Sequence, residues 1–132
     1  MAYATTQTMT KSTTLTLPVP EWPGYRCVPQ RGQNILETFG GDLRTADRGV
    51  VWYVTEFGIL LPRDNAANQD LITLEAFWAT EICGALYSFT WVDWRATSHA
   101  AARMMEPQLR VTPQGGDLYH VDFRIRTAEM VY

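Results

Sequence analysis

Residues 50–61 form a stretch that is apolar on both faces of any strand it could adopt. Alternation places Val51, Tyr53, Thr55, Phe57, Ile59 and Leu61 on one side and Val50, Trp52, Val54, Glu56, Gly58 and Leu60 on the other. A strand with no polar face must be buried twice, either between the two sheets of a sandwich or against another chain. Fully extended, this stretch runs about 40 Å. A chain of 132 residues makes a body roughly 36 Å across, so the strand reaches its edge and can project from it.

The remaining signals surround that strand with a small, mainly β domain. Residues 34–39 read as a short strand closed by a turn at Gly40, Gly41 and Asp42, where glycine takes positive φ without steric cost. Residues 86–92, 108–112 and 118–127 also read as strands, the last two joined by a turn at 113–117. On the last strand Tyr119, Val121, Phe123 and Ile125 face inward, and His120, Asp122, Arg124 and Arg126 face outward. One helix is expected, with Asn68 as its N-cap, Gly84 as its stop and an apolar stripe of Leu71, Leu74, Phe77, Trp78 and Ile82. Between strands, residues 93–107 break the pattern. There Ser98 is expected to cap a short Ala-rich turn through Ala100, Ala101 and Ala102, and Trp94, Met104 and Met105 form either a lid on the core or a contact surface.

The fold class is therefore mainly β with one α-helix (α+β), a small antiparallel β-sandwich or split barrel with a flanking helix and a long hairpin. Residues 1–20 are expected to be an extended N-terminal arm outside the core, because Thr-rich sequence suits extended backbone better than helix. That arm is either a disordered terminus or one that orders on a neighbouring subunit. Pro18, Pro20 and Pro23 then predict a loop over residues 21–32, and residues 21–132 form the single β-rich domain.

Charge and composition exclude several function classes. A net charge of -3 with no basic stripe argues against a dedicated nucleic-acid binder. No apolar run is long enough to span a bilayer and no secretory signal is present, so cytoplasmic synthesis is the default expectation. Cys27 and Cys83 lack metal-ligand or redox spacing and are expected to be free, buried thiols. Phosphate loops, zinc-protease and nucleophile-elbow motifs are absent from the sequence. Ser98–His99 is a poor dyad because adjacent side chains seldom point at one another. His120 with Asp122 suggests a solvated or interfacial face, and Asp42, Asp47 and Asp93 suggest turns. No enzyme activity, cofactor or metal is expected. Ten of the 11 basic residues are Arg, which reflects either bidentate carboxylate pairing at interfaces or GC-rich coding.

The succession of the doubly apolar strand 51–61, a helix opening Leu74-Glu75-Ala76-Phe77, and then Ser88-Phe89-Thr90-Trp91 resembles the minor tail protein M and distal tail protein family of lambda-like siphophages. Arg110-Val111 and the terminal strand 119–129 follow in the family's order, and Gly40-Gly41-Asp42-Leu43-Arg44 looks like its glycine-rich turn. The resemblance covers roughly residues 33–131. It departs from the family in the long insert after Val92-Asp93-Trp94 and in the N-terminal third.

The resemblance implies a structural virion protein, assembled in the host cytoplasm and located in the tail. It would form a ring, typically a hexamer of itself, between the tail tube protein and the tail hub and tip proteins. DNA would pass the lumen without specific binding, and no membrane would be involved. A mildly acidic lumen repels phosphates. Trp22, Trp52, Val54, Trp94, Met104, Met105, Arg124 and Arg126 are the expected subunit or partner contacts. Rival readings are a tail terminator or head-to-tail connector ring and, more distantly, a carbohydrate-binding β-sandwich; a small hydrolase is weaker still.

Overall fold

The computed structural model describes residues 5–37, 40–41 and 43–131, apart from the side chains of 22–24, 32, 34–37, 43–48 and 50. It is mainly β: eight strands in one open antiparallel sheet, and one helix. The strands are β1 Thr6–Thr10, β2 Thr14–Pro18, β3 Glu21–Glu37, β4 Leu43–Pro62, β5 Phe89–Val92, β6 Ser98–Met104, β7 Arg110–Gly115 and β8 Leu118–Thr127. Their order is β2-β1-β5-β6-β8-β4-β3, with β7 on β8.

The sheet folds over itself, and β6 is the strand that turns the corner. Its first part pairs with β5 through Ser98, His99 and Ala102, and its end pairs with β8 through Arg103 and Met104. The two halves then meet face to face. Phe57 of β4 stacks on Trp91 of β5 at 5.7 Å although the two strands are not hydrogen-bonded neighbours. Phe123 stacks on Phe57 from the other side at 5.2 Å. This is sandwich-like packing of the alternating apolar positions.

Three expectations need correction. The N-terminal segment is not an arm outside the core: β1 and β2 form a hairpin whose β1 pairs with β5, and Met9, Leu15 and Leu17 are core residues. The Leu15/Leu17 alternation was the signal, and β5 supplied the edge that made it a sheet strand. Residues 21–32 are strand rather than loop. The prolines are tolerated because β3 is an edge strand, where a missing N–H can face outward, and a register shift between Glu21 and Arg26 absorbs the Pro23-Gly24 segment. Ser98 opens strand β6, not an Ala-rich turn; His99, Ala102 and Met104 are buried, and the alternation is interrupted only at Ala100–Ala101, both exposed, where the β5–β6 register shifts.

The helix differs from expectation at both ends. Asp70, not Asn68, is the N-cap, accepting from the Thr73 amide at 2.8 Å, while Asn68 sits at φ 57. The α-helical part, α1 (Leu71–Ala76), runs into a π-helical turn at Phe77–Glu81. Thr80 Oγ1 donates to the Ala76 carbonyl at 2.6 Å, and this competition with the backbone ladder accompanies the wider turn. Leu71, Leu74, Phe77 and Ile82 are buried as expected, Trp78 partly so. Gly84 ends the element at φ 71. Cys27 and Cys83 are both free, but Cys27 is half-buried and Cys83 exposed rather than both buried.

Glu81, at the helix end, holds the β1–β2 turn by accepting from the amides of Ser12 and Thr13 and from the Thr13 hydroxyl. The helix and the N-terminal hairpin therefore stabilise each other. Met9→Ala is expected to destabilise the domain by about 2–5 kcal/mol, measured by urea denaturation. A chain beginning at residue 19 is expected to show no cooperative unfolding transition.

Candidate functional site: the outer face of the long strand

Strand β4 carries core residues on one face and an unusual polar covering on the other. Phe57, Ile59 and Leu61 are buried in the core. On the opposite face, β4 presents Trp52, Val54, Glu56, Gly58 and Leu60 beside β8 residues Arg126, Arg124, Asp122 and His120. The face is closed by this chain's own long side chains. The Arg126 guanidinium lies over the Trp52 ring at 4.5 Å. Val54 is 5% exposed, flanked by Arg126 and Val28 in the strand register.

A chain of ion pairs crosses this face. Arg26 of β3 donates to Glu56, through Nε at 3.0 Å and through Nη2. Glu56 also takes Arg124 Nε at 2.8 Å, Arg124 reaches on to Glu106 at 3.0 Å, and Glu106 pairs with Arg110 at 2.9 Å. Hydrogen bonding to Glu106, opposed by some burial and helped by Glu56, raises the Arg124 guanidinium further above its ordinary value. Exposed pairs like these are worth only about 0.2–1 kcal/mol each. Their effect is geometric, since they keep alternate charges in register across three strands.

Gly58 is required at its position by a close approach. A Cβ there would lie 2.3 Å from His120 Nε2, so the imidazole rests on the bare backbone of β4. His120 sits between Glu21 Oε1 at 3.5 Å and Asp122 Oδ1 at 3.4 Å. No group of acidic, His or Cys side chains suited to a metal ion occurs among the described residues.

The expected contact residues divide. Trp94 is fully buried, packed edge-on against Tyr25 at 5.3 Å and near Phe57 and Trp91. Its loop turns inward because Asp93 accepts from the amides of Arg95 and Thr97, and Ala96 takes φ 60. Met104 is core and Val54 is buried, so neither is an exposed contact. Arg124 and Arg126 are engaged within the protomer. Met105 remains exposed and Trp52 half-buried. The Trp22 side chain, together with Asp42 and the Asp47 side chain, lies outside the described residues.

Sequence inspection missed the pairing of Asp93 with His99, because the five intervening residues hide a turn that brings them together. His99 Nε2 lies 2.9 Å from Asp93 Oδ2, both side chains 2% exposed, while Ser98 is exposed. His99 Nδ1 is buried with no hydrogen-bond partner among the described residues. An imidazole donating from Nε2 leaves Nδ1 a bare acceptor, the less costly group to leave unpaired. Burial raises the Asp93 carboxyl, but hydrogen bonds from His99, Thr97 and Arg95 outweigh it and hold it below the usual carboxylate range. Burial likewise pushes the Tyr25 phenol up to about 12, with Cys27 and Asp93 adding to it. Asp93–His99 therefore braces the core under Trp91, whose ring lies 5.4 Å from His99.

No family model matches this sequence, and no curated protein matches it either. No helix among the described residues is long and apolar enough to cross a membrane.

Because the Asp93 carboxyl is depressed in the folded state, its stabilisation is present above the unfolded value of about 3.9 and is lost as pH falls through the lower folded value. Asp93→Ala is expected to cost about 1–3 kcal/mol near neutral pH, with the difference from the parent shrinking below about pH 4 in urea titrations. Gly58→Ala is expected to displace His120, seen as a large shift of its imidazole NMR signals with the far-UV spectrum unchanged.

Proposed function

We propose that this chain is a structural protein of a bacteriophage tail, of the minor tail or distal tail type, which assembles as a ring joining the tail tube to the tip and leaves a channel for DNA. The observation that carries this reading is the shape of the β3–β4 pair. β8 flanks β4 only from Tyr53 to Pro62, whereas β3 pairs with β4 as far as Glu37 and Leu43. From Trp52 back to Leu43 the pair continues as a two-stranded ribbon beyond the sheet, about 30 Å long at 3.3 Å per residue.

A two-stranded ribbon alone is marginally stable in water. An extension of that length is best accounted for by neighbours that flank it, and identical neighbours around a closed ring supply both flanks. The ribbon is also bulged, with Gly49 at φ 71 beside a register shift between Arg31 and Gln33, and bulges re-aim a strand relative to its body. The edges β2 and β3 are open for the same kind of pairing. The residue pattern running from the long strand through Leu74-Glu75-Ala76-Phe77 to Ser88-Phe89-Thr90-Trp91 supports the tail reading in particular. A net charge of -3 suits a channel through which DNA slides without adhering.

Trp52 stands at the root of the ribbon, so Trp52→Arg should leave a folded 15.0 kDa monomer that no longer forms rings. The test is electron microscopy beside solution mass, for the chain alone and with tail tube protein. Rings, typically sixfold, are expected for the parent and absent for the variant. A parent that stays monomeric under both conditions overturns the reading.

A further inference from the structure

The two ends of strand β8 carry complementary surfaces. Near its C-terminal end Arg126 stands directly opposite Arg103 of β6 in the strand register, and like charges so placed repel. Arg103 has no ion pair or hydrogen bond among the described residues. The other arginines of this face are answered: Arg26 by Glu56, Arg124 by Glu56 and Glu106, and Arg110 by Glu106. Arg126 uses the face of its guanidinium on Trp52, which leaves its N–H edge for an acceptor. Beside the arginine pair runs a groove of about 450 Å³ with Val51, Ser88 and Ala101 in its walls.

The opposite end of β8 is the β7–β8 turn. Residues 112–118 are all exposed, and Asp117 at the tip makes no ion pair among the described residues. The Arg63 amide donates to the Asp117 carbonyl at 3.2 Å, which sets the exposed Asp64 beside the tip. Arg63 shares this end but forms no ion pair with either carboxylate. Exposed Leu60 and Leu118 lie next to the tip on the outer face.

We propose that the hairpin tip of one copy docks on the Arg103–Arg126 pair of the next, with Asp117 as the carboxylate that answers the two guanidiniums. This rests on the ring reading and names a contact that builds the ring. From Asp117 to Arg126 the strand runs about 30 Å at roughly 3.3 Å per residue. That is several screening lengths at physiological salt, so the carboxylate cannot answer the pair within one copy. A guanidinium fork matches a carboxylate with two N–H bonds. The apolar surroundings match as well, since Leu60 and Leu118 flank the acid while Val51 and the half-buried Trp52 flank the arginines.

Two different patches that meet make a heterologous contact, which repeats head to tail and closes as a ring when the rotation permits. The arginine pair also lies at the root of the β3–β4 ribbon. A copy seated on it therefore lies beside the ribbon, which needs a flanking neighbour. In a chain of net charge -3, a local basic pair orients the approach of an otherwise repelled second copy.

Sedimentation and electron microscopy of the full chain, alone and with tail tube protein, test the contact. Root reversal combines Arg103→Glu with Arg126→Glu; tip reversal is Asp117→Arg, at a residue without positive φ. Each reversed protein is expected to keep a cooperative urea transition and to assemble at least about tenfold more weakly than the parent. Mixed one to one, the two are expected to recover assembly, because in alternating order every tip finds a root of opposite charge. Should root reversal not fold, Arg103→Glu alone replaces it, since that side chain has no partner to lose. Reversed proteins that assemble as well as the parent overturn this contact and leave the ring reading standing. So does a mixture that stays dissociated, the outcome of a two-fold contact, in which mixing sets like charges together. A parent that never assembles overturns both.

Discussion

The stack of Phe57 on Trp91 is the contact on which the rest of the structure depends. It joins strands at different places in an open sheet and so turns one sheet into two facing layers. Around it gather Trp94, Phe123 and, beyond Trp94, Tyr25. Fully burying Trp91 and Trp94 removes about 150–250 Å² each, an upper estimate of about 4–6 kcal/mol apiece. The polar atom of Trp91 is answered inside the core: Nε1 donates to Gln7 Oε1 at 2.8 Å, and Gln7 Nε2 donates to the Pro18 carbonyl at 2.9 Å. That relay ties the N-terminal hairpin to the centre of the sandwich. A segment rich in threonine thereby belongs to the core.

The second face of β4 shows a different solution to burial. Its apolar positions are covered by Arg126, Arg26 and Arg124, whose stems can shield surface while their heads reach carboxylates or an aromatic face. Intramolecular covering makes the face a poor candidate for a dry subunit contact. The assembly reading accordingly moves from that face to the ribbon beyond β8. The abundance of Arg over Lys acquires a structural use here, since Arg124 bridges two carboxylates in a way that a point charge serves less well.

Much of the fold was legible in local pattern. The strand at residues 50–61 lies within β4, β8 runs from Leu118 to Thr127 with the expected inward and outward sets, and the apolar stripe of the helix is buried. Period-2 and period-3.6 alternation survive folding because they record which face meets the core. The candidate site was less legible. By sequence Trp94 falls in the pattern-breaking segment 93–107, which reads equally as a lid or a contact surface, and only the Asp93-centred turn directs it inward. The pairing of His99 with Asp93 and the seat of His120 on Gly58 are both products of tertiary proximity.

The amino-acid sequence by itself determined the fold class, the doubly apolar strand, the helix and the absence of recognisable catalytic motifs, because each depends on residues adjacent along the chain. Tertiary structure alone decided which side chains cover the second face of β4, that residues 6–18 join the core, that β3 is a strand despite its prolines, and that β3–β4 outruns the sheet. Those outcomes depend on which strand lies beside which. Pairing across tens of residues is set by the summed burial of many side chains, and no local pattern records it.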